Sequence, residues 1–202
     1  DATTSDGPTF LAHKIITTIT NNFHNYCFPF HYILFLYIVF SYNDEGGIYM
    51  DIDSLKASKK TNQLFLVCVD HYDTSHATFY YYKKEEEWQL VLQTPALIGQ
   101  RGMGEGKEGA RQTPIGEYTF GKLMGIAPDP GTKMDYHQIT EDDYWCGEQY
   151  YNEFVDEKTR DHSHCTKEND EHLIDYTKPY EYTAFFNYNK ECIKGKGSAY
   201  FF

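Results

Sequence analysis

The sequence predicts a mainly β domain that carries an irregular, partly helical insertion. Its apolar runs are short and bounded by turn residues, which is typical of strands. Aromatic residues make up 17% of the chain and include 19 Tyr, a residue enriched in strands. Helix signals are sparse. The 202 residues suffice for one domain of good size plus an extension.

The first strands are predicted as a β-meander. Gln63–Asp70 is a continuous β-type run, and Thr78–Tyr82 is aromatic and β-branched. Trp88–Gln93 follows the charged turn Lys83–Glu87. Connections of only a few residues favour antiparallel neighbours.

Later strands are predicted at Glu117–Phe120, Thr183–Tyr188 and Ser198–Phe202. The insertion at roughly 127–180 separates the first of them from the other two. Within it, "TEDDYWCGEQYYNEF" has an acidic first turn after Thr140, which suits a short helix or a capped loop. The stretch "ENDEHLIDY" suits one helical turn or a loop.

A glycine-rich segment precedes the strand at Glu117. Five glycines lie between Gly99 and Gly109, and the stretch "RQTPIGEYTF" follows. Glycine permits backbone angles that are closed to other residues, and proline fixes one angle. We therefore expect a shaped loop, and shaped loops on rigid scaffolds often carry function.

The acidic composition limits the partners of the chain. It has 18 Lys+Arg against 30 Asp+Glu, a formal net charge of −12. Such a chain is poorly suited to nucleic acid or to anionic lipid. We expect no nucleic-acid partner, and a substrate that is neutral, cationic or held by local groups.

The N-terminal part contains a long uncharged stretch. No Asp, Glu, Lys or Arg occurs between Lys14 and Asp44, and Tyr26–Tyr42 is strongly apolar. This run is either a membrane anchor or signal segment, or a buried element of a soluble fold. We predict an N-terminal extension over 1–56 and a domain over 57–202.

The domain resembles a known family in three ordered pieces. These are "TPALIGQRGMGEGKEGARQTPIGEYTFGKLMGIAPDPGTKMDYHQITEDDYW", "EHLIDYTKPYEYTAFFNYN" and "GKGSAYFF". Together they resemble the L,D-transpeptidase catalytic domain, the YkuD-like group, over roughly Asn62–Phe202. The resemblance implies a β-sandwich-like fold and an extracytoplasmic place, secreted or membrane-anchored at the cell wall. It also implies cross-linking of peptidoglycan stem peptides through a cysteine acyl-enzyme.

The resemblance also assigns scaffold roles. Thr113 and Pro114 match the point where the family's chain enters a strand at the edge of the active cleft. Gly116 lets that strand pass closely, and Tyr118 follows within it. We expect these four residues to be structural rather than catalytic.

The catalytic element of the family is expected to lie outside this chain. The family supplies a His and then a Ser/Thr-x-Gly-Cys element after the strand that matches "GKGSAYFF". The 202 residues contain no Gly-Cys dipeptide and end at Phe202. We therefore assign no catalytic residue and expect an inactive piece of an acyltransferase. A non-catalytic peptidoglycan-binding module of the same fold is the alternative.

The cysteines of this chain offer few alternatives to that catalytic element. Asp161–Cys165, "DHSHC", is the only dense cluster of His, Cys and Asp. It is compatible with a metal site, with a relocated nucleophile or with a solvated loop. Structural zinc sites need four ligands, usually in separated pairs, so we favour the solvated loop and expect neither metal nor cofactor. Cys146 and Cys165 could form a disulfide in an exported protein.

Three further residues are candidates for substrate binding. His172 lies between the carboxylates of Glu171 and Asp175, which suits either a substrate contact or a hydrogen-bonded anchor of the insertion. Tyr176 and Tyr180 either line a cleft for stem peptide or glycan, or pack the insertion onto the sheet.

Overall fold

The computed structural model describes residues 33–37, 51–132 and 134–202, with only the backbone of Ile33–Tyr37. The predicted mainly β class is confirmed. Helical structure in the described residues is limited to three short 3₁₀ turns, Ile52–Ser54, Ala57–Lys59 and Leu173–Asp175. The described residues divide into two compact units, a first unit of 33–37, 51–120 and 193–197 and a second unit of 121–132, 134–192 and 198–202.

The described part of the chain contains twelve strands. In chain order they are β1 (Ile33–Tyr37), β2 (Gln63–Cys68), β3 (His76–Lys84), β4 (Trp88–Leu97), β5 (Met103–Gly104), β6 (Thr113–Pro114), β7 (Gly116–Gly125), β8 (Tyr136–Gln138), β9 (Asp143–Cys146), β10 (Glu153–Asp156), β11 (Glu171–His172) and β12 (Thr183–Phe186).

In the first unit, the sheet has the order β7-β1-β2-β3-β4. β2, β3 and β4 are antiparallel neighbours, which confirms the predicted meander. β1 runs parallel to β2 and antiparallel to the first half of β7. β5 and β6 form a separate parallel pair within the glycine-rich segment.

Strand β2 is buried on both faces because each face is covered. Leu64 and Leu66 pack with Ile52, from the 3₁₀ turn before the strand. On the other face Phe65 stacks on Phe79 at 5.6 Å and meets Tyr81 at 4.8 Å. An apolar side chain at every position, rather than at alternate ones, is the pattern of a strand covered on both sides.

The apolar N-terminal run contributes a strand to this sheet. Ile33–Tyr37 forms β1, between β2 and β7. The remainder of Tyr26–Tyr42 lies outside the described residues, so whether this run also anchors the chain to a membrane stays a prediction. In the described part of the chain, no helix is long and apolar enough to span a bilayer.

The second unit contains the insertion. The second half of β7 pairs in parallel with β8, and β12 is its other neighbour. A separate sheet has the order β10-β9-β11. The hydrophobic core of this unit contains Met124, Ile139, Trp145, Leu173 and Tyr180.

The acidic stretch after Thr140 forms strand β9 and not a helix. Asp143 is fully buried, and its Oδ2 accepts hydrogen bonds from Thr140 N at 2.7 Å and from Thr140 Oγ1 at 3.1 Å. The bond from Thr140 N to the carboxylate three residues later is that of a capping box, but here it closes a turn that leads into a strand, which fits the capped-loop alternative. Of the two alternatives for "ENDEHLIDY", a helical turn or a loop, the structure has a 3₁₀ turn at Leu173–Asp175.

Strand β1 provides the first test. Because β1 has neighbours on both sides, Phe35→Pro removes a backbone donor from the middle of a sheet. We expect a loss of about 2–4 kcal/mol in the free energy of unfolding, measured by urea denaturation. Phe35→Leu keeps the donor and is the matched control. Equal midpoints for the two variants would place residues 33–37 outside the folded sheet.

Candidate metal centre

Four polar side chains converge inside the insertion. Cys146 ends β9, His162 and Cys165 lie in the loop after β10, and Asp170 directly precedes β11. The donor atoms of all four lie within 4.8 Å of one another. They come from separate stretches of sequence, so only the fold brings them together.

The pairing of β9 with β10 and β11 positions Cys146 and Asp170. β9 pairs with β10 through Cys146↔Glu153 and with β11 through Trp145↔Glu171. The residue after β9 therefore lies beside the residue before β11, and Gly147 N donates to Asp170 Oδ1 at 2.7 Å. A Cβ at Gly147 would lie 2.1 Å from the carbonyl oxygen of Asn169, so this close approach requires glycine.

Cys146 is fully buried and its sulfur accepts backbone hydrogen bonds. Glu148 N lies 3.4 Å and Tyr150 N 3.2 Å from Sγ, because the chain turns around the sulfur directly after β9. These two bonds fix the position of the Cys146 sulfur at the end of β9.

His162 faces the cluster with one ring nitrogen and contacts a residue outside the cluster with the other. Its side chain is 1% exposed, and Nε2 lies 3.0 Å from Asp170 Oδ2 and 3.2 Å from Cys146 Sγ. Nδ1 lies 3.2 Å from Glu157 Oε1, on the opposite side of the ring. Two aromatic rings, Tyr144 and Tyr150, pack around the imidazole.

Cys165 completes the cluster. Its sulfur lies 3.9 Å from Cys146 Sγ and 3.1 Å from Asp170 Oδ2. Both cysteines are free thiols, so the disulfide that the sequence left open is not formed in this structure. The same two residues thus remain available as ligands.

The solvated-loop interpretation of Asp161–Cys165 is correct for only part of the segment. Asp161, Ser163 and His164 are exposed, whereas His162 and Cys165 are buried. The segment contains only half of the cluster, and the other half lies at Cys146 and Asp170. A histidine and a cysteine three residues apart were the visible signal. Asp170 follows Cys165 by five residues, but Cys146 lies 16 residues before His162.

The predicted substrate-binding residues lie outside the cluster. His172 is on the same face of β9 as Cys146, because the His172 and His162 rings both contact Tyr144, whereas Tyr180 packs on the Trp145 face. The His172 ring stacks on Tyr144 at 4.6 Å, and its Nδ1 and Nε2 lie 2.9 Å from Asp175 Oδ2 and 2.8 Å from the Glu141 carbonyl. Burial alone would lower the pKa of His172, but these two acceptors outweigh it and the pKa lies above its ordinary value. The bonds fit the anchoring alternative for His172.

The two tyrosines differ in exposure. Tyr180 is buried and donates its hydroxyl hydrogen bond to the Glu171 carboxylate. Tyr176 is 44% exposed and meets the Tyr180 ring edge-on at 5.8 Å. Their contact with a substrate stays a prediction.

The four predicted scaffold residues lie in the other unit. Thr113 Oγ1 accepts a hydrogen bond from Gly99 N at 2.8 Å, and Thr113–Pro114 forms β6. A Cβ at Gly99 would lie 2.7 Å from the Arg111 carbonyl oxygen, which explains a glycine there. Gly116 begins β7, and Tyr118 Oη donates to the Ile115 carbonyl at 3.0 Å.

The second unit also contains a cavity of about 280 Å³. Aromatic and polar side chains both line it, among them Trp145, Phe185, Tyr200, Asn152, Asn187 and Lys190. His172, Tyr176 and Tyr180 do not line this cavity.

Comparison with protein-family models, with curated proteins and with solved structures finds no match to this chain.

Thiol labelling tests the burial of the cluster. Of the four described cysteines, Cys192 is partly exposed, whereas Cys68, Cys146 and Cys165 are buried. We expect iodoacetamide to label Cys192 before Cys68, Cys146 and Cys165 in the folded chain, because a buried sulfur is out of reach of the reagent. Peptide mapping by mass spectrometry identifies each site, and labelling in denaturant without reductant confirms that the thiols are free. Fast labelling of Cys146 in the folded chain would contradict the structure.

Proposed function

We propose that this chain is the peptidoglycan-binding part of an L,D-transpeptidase, with the sandwich arrangement and the extracytoplasmic place that this family implies. The observation that carries the proposal is the aromatic cavity of the second unit, which lies beside the segment Ser198–Phe202. That segment belongs to the motif "GKGSAYFF", through which the chain resembles the family.

The segment is held as a strand-like partner of β12. Ala184 N donates to the Phe202 carbonyl at 2.9 Å, and Phe202 N donates to the Ala184 carbonyl at 2.7 Å. Phe185 and Phe201 form the antiparallel bridge between them. In the family, the catalytic His and the Gly-Cys element follow the matching strand. Tyr200 lines the cavity, so a ligand there would lie next to that strand.

The lining suits a peptide or a glycan. Aromatic rings such as Trp145 and Tyr200 offer flat apolar surfaces to sugars and to peptide side chains. The amides of Asn152 and Asn187 provide polar groups that fix orientation, as in other ligand sites. Lys190 adds a positive charge in a chain whose net charge is −12, and it can pair with a peptide carboxylate.

Binding without acyl transfer is the second candidate function, and the described cysteines favour it. A cysteine acyltransferase needs a thiolate next to a histidine base. Burial raises the pKa of the Cys68 thiol to about 12, and burial also raises the pKa of Cys192. Neither thiol is therefore prepared as a nucleophile. Cys146 Sγ does lie 3.2 Å from His162 Nε2, but Cys146 is 0% exposed and therefore out of reach of a substrate. Anchoring to a membrane through residues 26–42 and substrate contacts of His172, Tyr176 and Tyr180 belong to the same proposal.

Co-sedimentation with purified peptidoglycan tests the proposal. We expect the full chain to bind the insoluble polymer, and Lys190→Glu to weaken binding roughly three- to tenfold through charge repulsion. Lys178→Glu makes the same change at an exposed site outside the cavity and should bind like the original chain. Circular dichroism establishes that both variants are folded. Failure of the unaltered chain to sediment with peptidoglycan, or equal weakening by both variants, would refute the proposal.

A further inference from the structure

We propose that Cys146, His162, Cys165 and Asp170 bind one Zn²⁺ ion, which ties the loop between β10 and β11 to the end of β9. This inference is independent of peptidoglycan binding. It rests on the distances between the four donor atoms, on their burial and on the hydrogen bonds that orient them.

The distances fit a single tetrahedral ion. Two thiolates at the usual Zn–S length of about 2.3 Å in tetrahedral geometry place their sulfurs about 3.8 Å apart. Cys146 Sγ and Cys165 Sγ are 3.9 Å apart. For a nitrogen and an oxygen ligand the corresponding separation is about 3.4 Å. His162 Nε2 and Asp170 Oδ2 are 3.0 Å apart, so small outward shifts are enough.

Hydrogen bonds occupy the outer side of the ligands and direct their lone pairs inward. With Nδ1 of His162 donating to Glu157, Nε2 presents its lone pair to the cluster. Asp170 uses Oδ1 for Gly147 N and turns Oδ2 inward. Metal-binding histidines almost always donate their second ring N–H to a carboxylate or carbonyl in this way.

The charges of a zinc-bound cluster would largely cancel. Zinc binding displaces the proton of each free thiol, so two thiolates and the Asp170 carboxylate would then carry three negative charges. The His162 and Asp170 side chains are each 1% exposed, and buried charge of one sign is costly unless it is paired or coordinates a metal. A Zn²⁺ ion would offset two of the three charges. Lys167, which pairs with Glu157, supplies further positive charge at the rim.

The donor set selects zinc and a structural role. Thiolate and imidazole together favour Zn²⁺ over Mg²⁺ or Ca²⁺, which take oxygen ligands. Four ligands from the protein itself fill a tetrahedral shell and leave no position for a substrate. The ion would therefore stabilise the short strands β9, β10 and β11 rather than carry out a reaction.

Metal loading of the full, reduced chain tests the inference directly. We expect one equivalent of zinc per chain after dialysis, measured by inductively coupled plasma mass spectrometry. We also expect Co²⁺ to give the intense visible bands of tetrahedral cobalt and the near-ultraviolet bands of thiolate ligation. Both should be lost in Cys146→Ser and in Asp170→Asn. Cys192→Ser, which removes a cysteine outside the cluster, should keep them.

A milder variant keeps the test valid if the ligand variants fail to fold. Glu157→Gln leaves all four ligands in place but weakens the hydrogen bond to His162. We expect it to lower zinc affinity by roughly 10–100-fold in a competition titration with a chelator, while one equivalent still binds at saturation. Glu168→Gln, an exposed acidic residue of the same loop, is the matched control and should leave the affinity unchanged.

Several results would overturn the inference. These are a zinc content far below one equivalent after loading, an octahedral cobalt spectrum without thiolate bands, and a Cys146–Cys165 disulfide in the freshly purified chain. An unchanged zinc affinity in Glu157→Gln would also contradict the proposed orientation of His162.

Discussion

The insertion depends on the contacts that the Asp170 carboxylate makes with three neighbouring segments. One of its oxygens holds the backbone of Gly147, and the other lies 3.0 Å from His162 Nε2 and 3.1 Å from Cys165 Sγ. Buried polar groups of this kind are stable only when each has a partner. A single side chain thus joins the end of β9, the loop after β10 and the start of β11.

Strand β9 connects this cluster with the cavity of the same unit. Side chains alternate between the two faces of a strand, so Trp145 and Cys146 point in opposite directions. Trp145 lines the cavity and packs on Phe185, whereas Cys146 belongs to the cluster. An ion that fixes Cys146 would also fix the strand that carries Trp145. The proposed peptidoglycan-binding cavity and the proposed zinc site therefore share strand β9, although either proposal can fail without the other.

The sequence predicted the sheet well and the insertion poorly, for a physical reason. β2 is a continuous apolar run, and burial on both faces requires just such a run. β9 and β11 have only four and two residues, and their pairing depends on contacts distant in sequence. The acidic residues after Thr140 resembled a helix start, but buried Asp143 bonds back to Thr140 and closes a turn that leads into β9. His162 and Cys165 looked solvated because Cys146, which lies 16 residues before His162, is brought to them only by the fold.

X-ray absorption at the zinc edge tests the central claim most directly, because it counts the atoms bound to the ion and identifies their elements. The account predicts two sulfur neighbours at about 2.3 Å and two nitrogen or oxygen neighbours at about 2.0–2.2 Å in the zinc-loaded chain. A first shell without sulfur, or with six nitrogen and oxygen neighbours, would show that zinc binds elsewhere and would contradict the account.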